Sequence, residues 1–353
     1  MSPRLYLDHA ATTPVLPEAQ AAMADALGRW ANPSSPHADG RAARAALESA
    51  RGTIADALGW RHDVIFTSGA SEAIAIVAAR AKAERRLVGA TEHDAVIAAM
   101  GAGAAIIPVD SNGMAKLGDL PERGLAVVQQ ANNETGVIQP LGAIAATVRG
   151  AGSLLLADCA QSAGKLPLPD ADFIAVSAHK LGGPPGIGVL LVRDMATLAP
   201  SGGQEKGYRR GTENLPAAAG FAAALKARAF ADAMPRLAEL RQMLDAGIIQ
   251  AGGSVIAEGS PRIATIGAYA MPGVSAASQL VQFDLAGIAV SAGSACSSGS
   301  MKPSHVLKAM GLAADIAGSA IRISFGPQTV AADIERLLME WRRIASAAGA
   351  RAA

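Results

Sequence analysis

The sequence predicts an α/β protein with one large, mostly parallel sheet and a smaller α+β part. Two patterns carry that prediction. From Val64 to Val192 short aliphatic runs alternate with Ala-rich helical stretches, the signature of a buried sheet covered by helices. After Asn214 the pattern changes to longer helices with a few short strands between them. Composition agrees: of 353 residues 50% are hydrophobic and 17% charged, below the ~25% charged of an average soluble protein. Such a chain buries a core and is not disordered.

Each element has a local reason. Leu5 to Leu7 reads as a short strand, expected to join the later part of the chain. Pro17 to Arg29 and Arg41 to Leu58 have amphipathic spacing and are joined by the turn-rich NPSSPH at Asn32. Strands are expected at VIFT from Val64, LVGA from Leu87, AIIPV from Ala105, LAVVQ from Leu125, LLLAD from Leu154, FIAVS from Phe173 and GVLLV from Gly188. They are continuous apolar runs, as buried parallel strands are. Helices lie between them near Ala70 to Lys82 and Ala143 to Arg149. Further on, helices are expected over Leu215 to Phe230, Pro235 to Ile249 and about Val330 to Ala348, with strands near Arg262 to Tyr269, Ile288 to Val290 and Ile321 to Ser324. The expected division is a large domain over residues 14–230 and a smaller one made of 1–13 and 231–353.

Charge excludes some partners. Lys plus Arg is 31 and Asp plus Glu 30, a net charge of +1, so no broad basic surface serves nucleic acid or anionic lipid. Phosphate recognition must be local. The mean hydropathy is +0.26, yet the longest stretch without Asp, Glu, Lys or Arg, Ile263 to Phe283, contains Pro272, Gly273 and two glutamines. That is a strand, turn and helix, not a membrane span. Asp8 and His9 stand where a signal peptide needs an apolar core, and the chain has two cysteines, Cys159 and Cys296. A cytoplasmic location is expected.

Chemistry gathers in a few segments. SAHK places Ser177, His179 and Lys180 after a predicted buried strand, in a Gly/Pro-rich loop. A lysine there suits a Schiff base with pyridoxal phosphate, or it snorkels from the loop. Asp158 ends the LLLAD strand, followed by Gln161; a carboxylate there could hold a pyridine nitrogen protonated, or simply cap a turn. TSGASE, Thr67 to Glu72, links a strand to a helix, so its free N–H groups and Ser71 form either a phosphate seat or an ordinary cap. Cys296 sits among Ser, Gly and Ala in SAGSACSSGS, a setting that can expose and move a thiol, or where a loop cysteine is harmless. Cys159, in an apolar strand end, reads as a small core residue.

Together these segments resemble the cysteine desulfurases of the NifS and IscS kind, pyridoxal-phosphate enzymes related to class V aminotransferases. The resemblance spans nearly the whole chain. Its motifs are YLDHAATTP at Tyr6, NPSSPH at Asn32, TSGASE at Thr67, TEHDAV at Thr91, ANNETG at Ala131, DCAQSAGK at Asp158, SAHK at Ser177, GGQEKGYRRGTEN at Gly202 and GSACSSGSMKPSHVLKAMG at Gly293. It implies an aspartate-aminotransferase-like fold and a pyridoxal 5'-phosphate cofactor. It also implies Lys180 as the Schiff-base lysine that moves the substrate Cα proton, Asp158 at the pyridinium nitrogen, Gln161 at the ring hydroxyl and His93 stacked on the ring. The phosphate would rest on the Ala70 backbone, Ser71, Ser177 and His179, with Thr212 reaching it from the other subunit of a homodimer. Asn133 would face cofactor and substrate, and Arg322 would clamp the substrate carboxylate.

The implied reaction takes L-cysteine to L-alanine, leaves the sulfur as a persulfide on Cys296 and passes it to an acceptor protein, as in iron-sulfur cluster assembly. No metal is implied. A selenocysteine lyase or an aminotransferase would share the lysine and aspartate but not the need for Cys296; a non-catalytic sulfur-carrier or scaffold subunit would need neither Lys180 nor Asp158. His9, where relatives often carry Asn, and Pro327, where many carry Arg, depart from the family pattern.

Overall fold

The computed structural model describes residues 4–29, 31–293 and 304–352. In chain order the elements are β1 (Leu5–Tyr6), α1 (Pro17–Gly28), α2 (Ala38–Leu58), β2 (Asp63–Thr67), α3 (Ala70–Arg80), β3 (Arg85–Gly89), α4 (Asp94–Met100), β4 (Ala105–Ile107), β5 (Gly124–Gln129), α5 (Leu141–Gly150), β6 (Leu154–Asp158), β7 (Phe173–Ser177) and β8 (Gly188–Val192). They continue with α6 (Leu215–Lys226), α7 (Ala229–Gln250), β9 (Ser254–Val255), β10 (Ile266–Ala270), α8 (Ala276–Leu285), β11 (Ile288–Ala289), α9 (His305–Ala309), α10 (Ala314–Gly318), β12 (Ala320–Ser324) and α11 (Ala331–Ala352).

The expected runs form one seven-stranded sheet in the order β2-β8-β7-β6-β5-β3-β4. Every pairing is parallel except those of β8, which runs against both β2 and β7. The sheet is therefore mostly parallel, as the continuous apolar runs predict. Strand pleating sends successive side chains to opposite faces. Phe66, Val128, Ala157, Val176 and Leu191 pack on one face with α2, α5 and α6. Ile65, Val127, Leu156, Ala175 and Leu190 pack on the other with α3 and α4. Gly188 is required by close approach: a Cβ there would lie 2.3 Å from the Val176 carbonyl oxygen and 2.7 Å from Gly69 Cα.

Beyond α6, β10 pairs antiparallel with β9 and β12, and β1 pairs parallel with β11, so the N-terminal strand does join the later chain. Two helix starts differ from the sequence expectation, and three short helices are unexpected. α2 starts before Arg41 because the His37 side chain caps it, accepting from Gly40 N. α7 starts at Ala229 and runs through Pro235; burial of Phe230 and Ala233 in its first turns holds a helix that proline would otherwise interrupt. The unexpected α4, α9 and α10, of 7, 5 and 5 residues, are too short to show a helical period. Among the described residues no helix is long and apolar enough to cross a membrane.

Candidate active site

The strands β2, β3, β5, β6 and β7 all point one way, so the loops that follow them open along one edge of the sheet. This is where open α/β sheets bind ligands. A cavity of about 260 Å³ lies there, and its wall includes Ala70, Ser71, His93, Asn133, Asp158, Gln161, Ser177, His179 and Lys180. The residues singled out in separate sequence segments thus converge in space.

At one end of the cavity α3 begins without a side-chain cap, leaving the first N–H groups of its opening turn available beside Ser71. Glu72, the nearest carboxylate, is committed elsewhere: it accepts from Ser68 N, and Arg209 Nε donates to it at 2.9 Å. Its charge, although on the cavity wall, is thereby paired with Arg209. Ser177 is buried, and His179 Nδ1 lies 3.2 Å from Thr12 Oγ1. Burial, with Lys180 and Lys165 adding, lowers the His179 imidazole to about 4, so it is neutral at neutral pH.

Lys180 closes the short 3₁₀ turn after β7 and is partly buried against the cavity. Its Nζ has no hydrogen-bond partner among the described residues. Burial pushes its ammonium below the usual lysine range; Asp158 opposes this and Arg322 adds to it. Asp158 ends β6, is buried, and accepts from Ala160 N at 2.9 Å. Gln161 donates from Nε2 to the Ala10 carbonyl at 2.8 Å, which leaves its buried Oε1 without a partner among the described residues. His93 caps α4, its Nδ1 accepting from Ala95 N at 3.1 Å. The remaining ring proton is then on Nε2, and burial beside Lys180 lowers the imidazole further from its charged form.

Asn133 lines the cavity from a tight turn, while Arg322, on β12, does not reach its wall. Arg322 Nη1 donates to the Asn133 carbonyl at 2.9 Å and Nη2 to Asp8 Oδ1 at 2.8 Å. Its buried Nε has no partner among the described residues. Thr212 is exposed in the stretch before α6, away from this cavity. Cys296 lies outside the described residues. Cys159 is fully buried, donates to Gln130 Oε1, and has its thiol pushed up by burial, as a core residue should. Among the described residues no cluster of His, Cys, Asp and Glu could hold a metal ion.

The sequence reading missed three residues here. Asp8 orients Arg322. Glu92 is buried behind Asp158, its Oε1 accepting from Gln129 N at 2.9 Å, and burial raises its carboxyl well above the usual range. Glu134 is buried next to Asn133. All three stand inside quoted motifs, but nothing local in those motifs shows the contact each one makes.

Residues 5–337 match the family model for class-V aminotransferases, and the chain belongs to that family. A cysteine desulfurase of Frankia sp. (strain EuIK1) is 38% identical, over 94% of this chain and 88% of that protein. The IscS-like cysteine desulfurase of Mycobacterium tuberculosis is 36% identical, over 94% of both. A NifS-like protein from Rickettsia africae has a TM-score of 0.89 at 28% identity, covering 97% of this chain and 99% of that one. Within the class-V family the chain groups with cysteine desulfurases of the NifS and IscS kind; it is an enzyme of a pyridoxal-phosphate-dependent family.

Proposed function

We propose that the chain is a pyridoxal-phosphate-dependent cysteine desulfurase, releasing L-alanine from L-cysteine and taking the sulfur as a persulfide on Cys296. The observation that carries this reading is the convergence of Lys180, Asp158, His93 and Gln161 on one cavity. The wall suits the cofactor: the partnerless Gln161 Oε1 can accept from a ring hydroxyl, Lys180 Nζ is free to bond, and the uncapped α3 N-terminus favours a phosphate. Bound there, the cofactor supplies an electron sink for the Cα carbanion.

The protein's own residues do the rest. Lys180 would hold the cofactor and take the substrate Cα proton, and burial, by lowering its basicity, favours the neutral amine that such a role needs. Asp158 would stand at the ring nitrogen and His93 would pack on the ring, while Ala70 N, Ser71, Ser177 and His179 would receive the phosphate. Arg322, aimed by Asp8 and the Asn133 carbonyl, keeps Nε for the substrate carboxylate. The Cys296 thiolate attacks the substrate sulfur. We further propose a homodimer in which Thr212 serves the neighbouring site, and a protein that accepts the persulfide sulfur; an active monomer in sedimentation would remove the first.

Alanine should form from L-cysteine with the purified yellow holoenzyme, and sulfide with it when an added dithiol reduces the persulfide. Cys296→Ser should keep the colour yet release no sulfide and carry no persulfide by mass spectrometry. Sulfide release by that variant at the native rate would replace this reading with a lyase that needs no thiol.

A further inference from the structure

We infer that Glu134 is a positioning residue that binds Ser304 and abuts Gly293, the described residues on either side of the Cys296 segment, from the turn bearing Asn133. The inference rests on the desulfurase reading above and assigns a second layer to the same site. Its basis is one buried carboxylate and the groups placed on it.

Glu134 stands in the turn Asn132–Gly136, which is internally fixed. Asn132 Oδ1 accepts from Glu134 N at 2.9 Å and Thr135 N at 2.8 Å, while Asn132 Nδ2 donates to the Thr91 carbonyl at 3.1 Å. From this base Glu134 Oε2 accepts from Ser304 Oγ at 2.6 Å. Ser304 Oγ also accepts from Leu307 N at 3.1 Å as the cap of α9, so its one proton is committed to Glu134. On the other flank, a Cβ added to Gly293 would stand 1.9 Å from the same Oε2. The backbone at Gly293 therefore lies against the carboxylate, and a side chain there would displace it. Gly293 and Ser304 are the described residues that border 294–303, the segment holding Cys296.

The same turn meets Arg322, whose Nη1 donates to the Asn133 carbonyl. The substrate clamp and the two flanks of the nucleophile segment thus share one anchor. Packing alone does not explain the choice of residue. Burying a carboxyl with a single hydroxyl donor among the described residues is costly, and an apolar side chain of similar volume would fill the space at less cost. Burial raises the Glu134 carboxyl, with the Ser304 hydrogen bond opposing. What the carboxyl adds is a directional hydrogen bond to Ser304 and a close contact at Gly293, which together fix the two described ends of the segment relative to the Asn133 turn.

The step it serves is explicit. The Cys296 thiolate attacks the substrate sulfur, an S–S bond forms, and the Cβ–S bond breaks with its electron pair left on carbon, which takes up a proton. L-cysteine sulfinate offers a contrast: its sulfur leaves as SO2, the pair again staying on carbon, and no thiol is needed.

The test compares Glu134→Ala, Glu134→Gln and Ser304→Ala holoenzymes with wild type. Glu134→Ala should slow single-turnover persulfide formation on Cys296, read by mass spectrometry, by about tenfold or more. Its cofactor band, its half-saturating L-cysteine in spectral titration and its turnover of L-cysteine sulfinate should stay within about threefold of wild type. Ser304→Ala should fall in the same direction, and it decides the matter if Glu134→Ala fails to hold cofactor. Glu134→Gln, whose amide oxygen still accepts from Ser304, should restore the rate. A native persulfide rate in Glu134→Ala, or equal losses on cysteine and sulfinate, overturns the positioning role. If Cys296→Ser still releases sulfide at the native rate, the desulfurase reading itself fails, whatever Glu134 does.

Discussion

Two lysines on neighbouring strand-end loops, Lys165 buried and Lys180 partly buried, have different opportunities. Lys165, after β6, is 7% exposed, and its Nζ sits 4.5 Å from the centroid of the Phe230 ring. Burial, helped by Lys180, lowers it to about 7. Lys180, after β7, is also pushed down by burial. Neither Nζ has a hydrogen-bond partner among the described residues. The difference is what each amine faces: Lys180 is part of a cavity wall with Asp158, Gln161 and His93, whereas Lys165 is covered by an aromatic face. Burial alone thus provides a partly neutral amine, and only a cavity with complementary groups turns it toward chemistry.

The largest expected effect separates the two. Lys180→Ala should abolish turnover and remove the visible band of the bound cofactor, because no other lysine among the described residues lines the cavity. Lys165→Met should keep both. A Lys180→Ala protein with an unchanged absorption spectrum would move the cofactor attachment elsewhere, and Lys165 would be the first residue to examine.

This pair also marks how much the sequence discloses. The sheet was legible because buried parallel strands are continuous apolar runs, and all of its strands fall on runs such as Leu154 to Asp158 and Phe173 to Ser177. The strand-end residues Asp158, Ser177 and Lys180 were legible because the loops after such strands open on one edge. Lys165 was not singled out, although it lies in the quoted DCAQSAGK: the partner that covers it, Phe230, is far along the chain, and no local pattern shows that contact. The same holds for Asp8, which meets Arg322 only when β1 comes beside β12. Side chains whose meaning depends on one distant contact are silent in a single sequence.

A smaller effect is expected at Arg322. Losing a charge-assisted contact to the substrate carboxylate should cost about 2 to 5 kcal/mol, seen as a raised KM for L-cysteine with the cofactor band intact. The same substitution sharpens the comparison of lysines. Arg322 is one of the charges holding Lys180 down but is not among the causes acting on Lys165. Arg322→Ala should therefore shift the pH midpoint of the cofactor band upward, as removing a nearby positive charge favours a protonated nitrogen. An unmoved KM would place the clamp elsewhere; a downward midpoint would contradict the electrostatic account.

The smallest effect concerns stability and belongs to Lys165. Burial lowers its pKa in the folded protein to about 7, from the usual lysine value of 10.5. Between those values the unfolded chain binds more protons than the folded one, so this group makes the protein more stable as pH rises through that window. Below about 7 the cost of burying the charge is fully present, reduced by the attraction to the Phe230 face. Lys165→Met keeps much of the volume and removes the charge, along with its repulsion of His9 and His179, both held to about 4 in part by Lys165. At pH 7 the variant should be more stable than wild type by about 1 to 4 kcal/mol. That advantage should shrink steadily toward pH 10, with activity on L-cysteine little changed. Denaturant unfolding of both holoenzymes at several pH values measures the difference directly, so other titrating groups cancel. A gap that stayed constant with pH would mean that Lys165 holds its proton in the folded protein, and the contrast with Lys180 would then rest on the cavity alone.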